Sequence, residues 1–231
     1  MKNLVAVAVL LLVVSSFAAA DDIKAIHYVA PTINGVTSTW SDTWTLPKFN
    51  PALGTLDSID FIFKGALAGT GSVTNNHKTR GLDLTFNFAA NVTLQRPDTS
   101  TVATRTPYVE FGTAPDYLYV PAQTTWTSPL LTAADMSITS TTLGTDLTLF
   151  TGINPGDTIT LPVISVDTSD DTYRNPNLGG NVFIESSGNT ADLTIVYRYH
   201  AANFIPEPGS LALMGLGLPM LGLWFRRRRK S

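Results

Sequence analysis

Through the middle of the chain the hydrophobic positions recur at every second residue, while both ends carry unbroken apolar runs. Leu82, Leu84, Phe86 and Phe88 share one face of an extended segment, and Asp83, Thr85 and Asn87 share the other. Such alternation predicts a strand with one face buried and one wet. Leu193, Ile195, Tyr197 and Tyr199 alternate likewise with Thr194, Val196 and Arg198, and Ile59, Phe61 and Phe63 with Asp60, Ile62 and Lys64. Further strands are predicted over residues 23–29, 39–46, 67–74, 117–120 and 158–166. Residues 133–136 read as a single helical turn, and 96–107, with Thr, Ser and Asp between prolines, as a mobile loop. Long helical stripes are absent, threonine is abundant, and Gly, Pro, Asn and Asp punctuate the apolar runs, so the class is all-β. One-faced antiparallel strands bury their apolar face against a second sheet. The expected fold is an antiparallel β-sandwich, jelly-roll-like, flanked by an N-terminal signal helix and a C-terminal hydrophobic helix.

The two ends change the picture from fold to address. Met1-Lys2-Asn3 is short and positive, residues 4–14 are apolar, and Ala18-Ala19-Ala20 precedes Asp21-Asp22. A positive start, a short apolar core and small residues at the cut make a secretory signal. Ala18 and Ala20 suit the narrow pockets of signal peptidase, and cleavage after Ala20 leaves Asp21 first. The apolar run is shorter than the roughly 20 residues that span a bilayer, which argues against a permanent anchor.

At the other end, Ile205-Pro206-Glu207-Pro208-Gly209-Ser210 precedes an apolar run over 211–225, then Arg226, Arg227, Arg228, Arg229 and Lys230. The prolines keep their segment extended and open to a processing enzyme. The apolar run can enter the inner membrane as a helix, and the basic cluster resists translocation, leaving the body outside. The run has 15 residues and includes Gly215, Gly217, Pro219 and Gly222, which suits a temporary hold. These three parts, in this order, closely resemble the PEP-CTERM sorting signal of Gram-negative bacteria. The resemblance implies processing by an exosortase, a membrane transpeptidase with a catalytic cysteine, and transfer to the cell envelope, surface or exopolysaccharide matrix. It places no catalytic role on this chain. A simple tail anchor is the alternative. The expected organisation is a signal peptide at 1–20, a sandwich domain at 21–203 and a sorting signal at 204–231, and the chain as an exported, inner-membrane-tethered precursor.

Charge reads differently once the ends are set aside. The formal charge of −3 covers the whole chain, but residues 21–203 hold nine basic and seventeen acidic residues, a body of −8. That argues against a nucleic-acid partner, which needs clustered Lys and Arg. There is no cysteine, which excludes disulfides, a lipid-modified cysteine, a cysteine nucleophile and thiolate metal ligands.

Within the body, Leu46-Pro47-Lys48-Phe49-Asn50-Pro51-Ala52-Leu53-Gly54-Thr55-Leu56 sets two apolar plugs, Phe49 and Leu53, about a proline turn. This stretch is similar to a signature of the choice-of-anchor E domain. Leu149-Phe150-Thr151-Gly152, the stretch over 156–163 and the closing strand over 193–199 resemble its later regions. The resemblance spans residues 40–199 and implies a surface domain displayed by one of several anchors, with no catalytic residues to carry over.

Candidate chemistry is sparse. His27, His77 and His200 lack the close pairing of a zinc site. Asp167, Asp170 and Asp171 could offer oxygens to calcium, although no EF-hand spacing is present, and a solvated loop is the plain alternative. Asp57 and Asp60 are candidate paired carboxylates for glycoside hydrolysis. Trp40 and Trp44 fall on one face of a strand; with Trp126 they are expected to belong to the core, or, if exposed, to form a platform for sugar rings. No cofactor or metal is expected. The preferred expectation is a non-enzymatic envelope or extracellular-matrix protein; the alternatives are a carbohydrate-binding module for exopolysaccharide and, behind it, a glycoside hydrolase.

Overall fold

The computed structural model describes residues 23–35, 39–112, 115–174 and 181–202, with the backbone alone for 181–187. The strands are β1 (Ile23–Val29), β2 (Ile33–Asn34), β3 (Trp40–Pro47), β4 (Gly54–Thr74), β5 (Leu82–Gln95), β6 (Thr101–Arg105) and β7 (Tyr108–Phe111). They continue with β8 (Leu118–Val120), β9 (Thr125–Thr127), β10 (Leu131–Thr141), β11 (Thr158–Asp167), β12 (Asp170–Tyr173) and β13 (Asn181–Ala201). A short helix, α1 (Gly144–Phe150), follows β10, and a 3-10 turn (Pro51–Leu53) precedes β4.

The pairings sort these strands into two antiparallel sheets. One runs β1–β13–β4–β10, with β2 extending β1 along β13 and β9 extending β10 along β4. The other runs β3–β11–β5, with β12 continuing β11 on one side of β5 and β6, β7 and β8 in file on the other. When the broken strands are joined, each sheet has four rows. Numbered in chain order, the rows lie 1-8-3-6 and 2-7-4-5, which is the connectivity of a jelly roll.

Alternation builds the interior. Phe61, Phe63, Leu193, Ile195 and Tyr197 from one sheet meet Leu82, Leu84, Phe86, Phe88, Val92 and Leu94 from the other, all at most 1 % exposed. The predicted strands over 59–63 and 67–74 are one strand of 21 residues. Glycine reads locally as a break, but here it lets the sheets approach. A Cβ at Gly71 would lie 2.9 Å from the Phe86 ring, and one at Gly65 would lie 3.0 Å from Val92.

Two local expectations are corrected. Residues 133–136 are strand, because the edge of β4 takes a partner in continuous register from Leu131↔Gly69 to Thr141↔Ile59. A four-residue alanine-rich stretch has too little helical preference to resist that pairing. The stretch over 96–107 is mostly ordered: Arg96 accepts from Thr99 and donates to Ser100 in a tight turn, and β6 then pairs with the end of β5.

The expected terminal helices, the cleavage residues Ala18, Ala20 and Asp21, and the whole of 204–231 lie outside the described residues. Among the described residues no helix is long and apolar enough to cross a membrane.

Candidate functional site

The candidate site is the end of the sandwich at which the chain enters and leaves. Ile23, the first residue of β1, pairs with His200 near the end of β13, so residues 1–22 and 203–231 attach at the same end. We call it the base.

The base is closed by the 46–56 stretch. Leu46 and Pro47 finish β3, and the chain crosses to the other sheet through Phe49 and the Pro51–Leu53 turn. Asn50 caps that turn by accepting from the Ala52 N–H at 3.0 Å. Phe49 is 1 % exposed and packs against Tyr199 and Tyr197, with ring centroids 5.2 and 6.0 Å away. Its N–H donates to the Phe150 carbonyl, and its own carbonyl accepts from Gly152, tying the crossover to α1 and the loop behind it. Gly54 sits at φ +146, where any Cβ would collide with the His200 carbonyl. Ala202 donates to the Leu53 carbonyl at 2.9 Å, so the outgoing chain is clamped to the same turn.

Two ion pairs reinforce this end. The Arg96 guanidinium grips Asp146 with both carboxylate oxygens, at 2.6 and 2.9 Å, and Thr141 donates to the same carboxylate at 2.8 Å. The Arg96 bonds hold the Asp146 carboxyl below the usual range despite its burial, with Thr141 adding to the effect. Asp60 accepts from Ser140 at 2.7 Å and Arg198 at 2.8 Å. Burial opposes its ionisation, but those two bonds and the Arg198 charge outweigh it and keep its carboxyl low. Asp57 pairs with His200.

Asp57 and Asp60 would face opposite ways on a regular strand. A β-bulge, where Arg198 opposes Ser58 and Tyr199 opposes Leu56, inserts Asp57 as an extra residue and turns both acids to the outer face. Both then meet side chains from β13, Asp60 the Arg198 guanidinium and Asp57 the His200 imidazole. An inverting or retaining glycosidase needs one carboxyl raised towards neutrality, whereas Asp60 is held ionised.

A groove of about 570 Å3 opens at the base beside the start of β4, before β10 joins it at Ile59, and is lined by Lys48, Phe49, Leu56, Leu147 and Ile153 among others. Ile153 projects from the loop after α1, where the Asp157 carboxylate accepts from the Ile153 and Asn154 N–H groups at 2.7 and 3.0 Å.

The remaining candidates lie elsewhere and do not converge. Trp44 is 2 % exposed, with its indole N–H donating to the Pro31 carbonyl at 2.8 Å and its ring against Phe63. Trp40 is half-buried against the core on the same face. Trp126 is half-buried at the far end, packed on Phe111 and Phe86 with centroids 4.8 and 5.9 Å away. The three indoles are therefore core elements and do not form an exposed platform. Asp170 and Asp171 are successive residues of β12 and point to opposite faces, while Asp167 accepts from the Ser169 N–H in the preceding turn. They form no cation cage, and among the described residues no group of three metal-ligating side chains comes together. His27, His77 and His200 occupy β1, the turn after β4 and β13, respectively.

The chain leaves the base at Ala202, and its C-terminal segment decides its destination. Residues 204–230 match the PEP-CTERM protein-sorting motif. The motif contains Pro206, Glu207, Pro208 and the Arg226–Lys230 cluster, and it marks an exported chain processed by exosortase. No curated protein matches the chain. Among solved structures, the chain is similar to the particle of infectious bursal disease virus Gx strain, at 12 % identity and a TM-score of 0.23, covering 80 % of this chain and 38 % of that one. It is also similar to SACOL2612, a CocE/NonD family hydrolase from Staphylococcus aureus, at 9 % identity and a TM-score of 0.23, covering 77 % and 33 %. The chain thus spans little more than a third of those proteins, and likeness at this level carries no argument about activity.

The sorting motif is legible without the fold. The base closure is only half legible: the 46–56 stretch stands out, but its partners Arg96, Asp146 and Thr141 are scattered along the chain. Arg96 beside Pro97 is the one available signal, a cation at the mouth of a turn.

Proposed function

We propose that the chain is a non-enzymatic envelope or extracellular-matrix protein, exported by its N-terminal signal and held briefly in the inner membrane by residues 211–225. Exosortase then transfers or releases it. The observation that carries this reading is the sorting motif over residues 204–230, placed directly after a folded body. Its support from the body is indirect: Arg198 holds Asp60, Asp57 lies against His200, and the candidate sugar-binding indoles lie in the core or packed against it. The body is a choice-of-anchor E-like domain in this reading. The stretch that carries the resemblance folds as one unit, the crossover that closes the base and grips the outgoing chain. Signal peptidase and exosortase are its processing partners, and exopolysaccharide is the surrounding matrix.

The test is replacement of Pro206 and Pro208 by alanine in the native host. The expected result is accumulation of a membrane-bound form that retains the Arg226–Lys230 cluster, detected by mass spectrometry of its C-terminal peptide. Normal processing of that variant would overturn the reading in favour of a plain tail anchor.

A further inference from the structure

The base carries a cluster of exposed aliphatic side chains. Leu53 on the crossover turn is 40 % exposed, Ile153 on the loop after α1 is 89 % exposed, Leu143 ahead of α1 is 63 % exposed, and Ile23 at the start of β1 is 58 % exposed. The topology puts them at one end. Leu53 precedes β4, Ile23 pairs beside the end of β13, Leu143 follows the point where β10 leaves Ile59, and Ile153 leads into β11 beside Pro47. Large aliphatics on loop tips are costly in water and need a reason. Two acids of this end sit beside basic side chains, and two accept hydrogen bonds from the loops that carry them. Asp57 meets His200, Asp146 meets Arg96, Asp157 accepts from the loop backbone, and Asp98 accepts from Ser100. Lys48 lines the same groove as Ile153.

The covalent chain says what these tips face. Eight residues, 203–210, separate Ala202 from the apolar run that begins at Leu211. Fully extended, they reach at most roughly 30 Å. With residues 211–225 in the bilayer, the base therefore stays within that distance of the lipid surface and is the end of the sandwich nearest to it. A short tether of this kind gives an effective concentration on the order of mM, so a few weakly inserting side chains suffice.

We propose that the base is a membrane-docking surface: Leu53, Leu143 and Ile153 enter the boundary between headgroups and acyl chains of the inner membrane's outer leaflet, with Lys48 at the headgroup level. The inference rests on the reading that 211–225 enters the membrane.

The absence of cysteine makes the test direct. The chain, with its C-terminal segment intact, is reconstituted into phosphatidylethanolamine–phosphatidylglycerol vesicles, carrying one environment-sensitive fluorophore at a time. The variants are Ile153→Cys at the base, Gln123→Cys at the far end and Gly215→Cys in the apolar run. Quenchers are attached to the lipid acyl chains. The expected result is several-fold stronger quenching at positions 153 and 215 than at 123, with a blue shift at 153 that Leu53→Asp with Leu143→Asp abolishes. Quenching at 215 with position 153 resembling 123 would sink the docking surface and leave the tether standing. Absence of quenching at both 153 and 215 would sink the two together. A probe at 153 that is shielded from aqueous iodide but untouched by the lipid quencher would place a protein there, a second copy or the processing enzyme, and so overturn the lipid assignment.

Discussion

The two ends of the sandwich solve the same problem with different chemistry. At the far end, loops are held by a neutral amide. Asn75 is fully buried; its side-chain NH2 donates to the carbonyls of Arg80 and Val120 at 2.9 and 3.0 Å, and its carbonyl oxygen accepts from the His77 N–H at 2.9 Å. Trp126, Phe111 and Phe86 form an aromatic lid beside it. At the base, the corresponding loops are held by Arg96 on Asp146 and by Arg198 on Asp60, around the Phe49 plug. An amide bonds equally well at any pH but gives only neutral hydrogen bonds. A carboxylate–guanidinium pair is stronger and bidentate, and it weakens when the acid is protonated. The end that holds both termini has the stronger, titratable closure.

The largest effect should come from the plug. Phe49→Ala removes a 1 % exposed ring touching Tyr197 and Tyr199 and should cost about 3–5 kcal/mol, read by chemical denaturation. Trp126→Ala, at a half-buried ring of the far lid, should cost clearly less, and equal losses would break the contrast.

Next comes Asp146→Ala. It strands the largely buried Arg96 guanidinium and should cost about 2–4 kcal/mol, below a fully buried pair because Arg96 keeps some access to water. The same variant checks the pH dependence. Asp146 and Asp60 have folded-state values below the ordinary carboxylate value of ~3.9. A depressed carboxyl stabilises fully above that value, and its contribution is lost as the pH falls through the lower folded-state value. Thermal melts of the wild type should therefore drop below about pH 4, and Asp146→Ala should drop less steeply.

Asn75→Ala leaves the Arg80 and Val120 carbonyls without their donor and should cost about 1–3 kcal/mol. This loss should be read at pH 7, where the His77 imidazole also accepts from the Thr79 and Arg80 N–H groups of the same turn. The smallest effect belongs to Asn50→Ala, which removes the cap of the crossover turn and should cost about 1 kcal/mol in the same denaturation assay.

Legibility follows the range of the physics. Strands β1, β3, β5 and β11 are readable because alternation is local, and observed bounds differ from expected ones mainly at the C-terminal ends. Residues 133–136 mislead because a short alanine-rich stretch has no strong local preference, and the edge of β4 decides it. Gly65 falls between the expected strands over 59–63 and 67–74, although the close approach of Val92 lets the chain run on through it as one strand. Asp57 and Asp60 stand in the sequence as candidate paired carboxylates or plain surface acids; the bulge that brings them to one face also sets His200 and Arg198 beside them.

The sequence by itself determined the address and the fold class. The Pro-Glu-Pro segment and the basic cluster of the sorting motif are linear features, legible without regard to tertiary contacts, and period-two alternation specifies half-buried strands. Only the tertiary structure decided the row order of the jelly roll, the burial of Trp44, the Arg96–Asp146 closure and the placement of Leu53, Leu143 and Ile153 at the base. Each of these joins residues far apart in the chain, and no local pattern encodes which partner a strand edge, a ring or a charge will meet once the two sheets have packed.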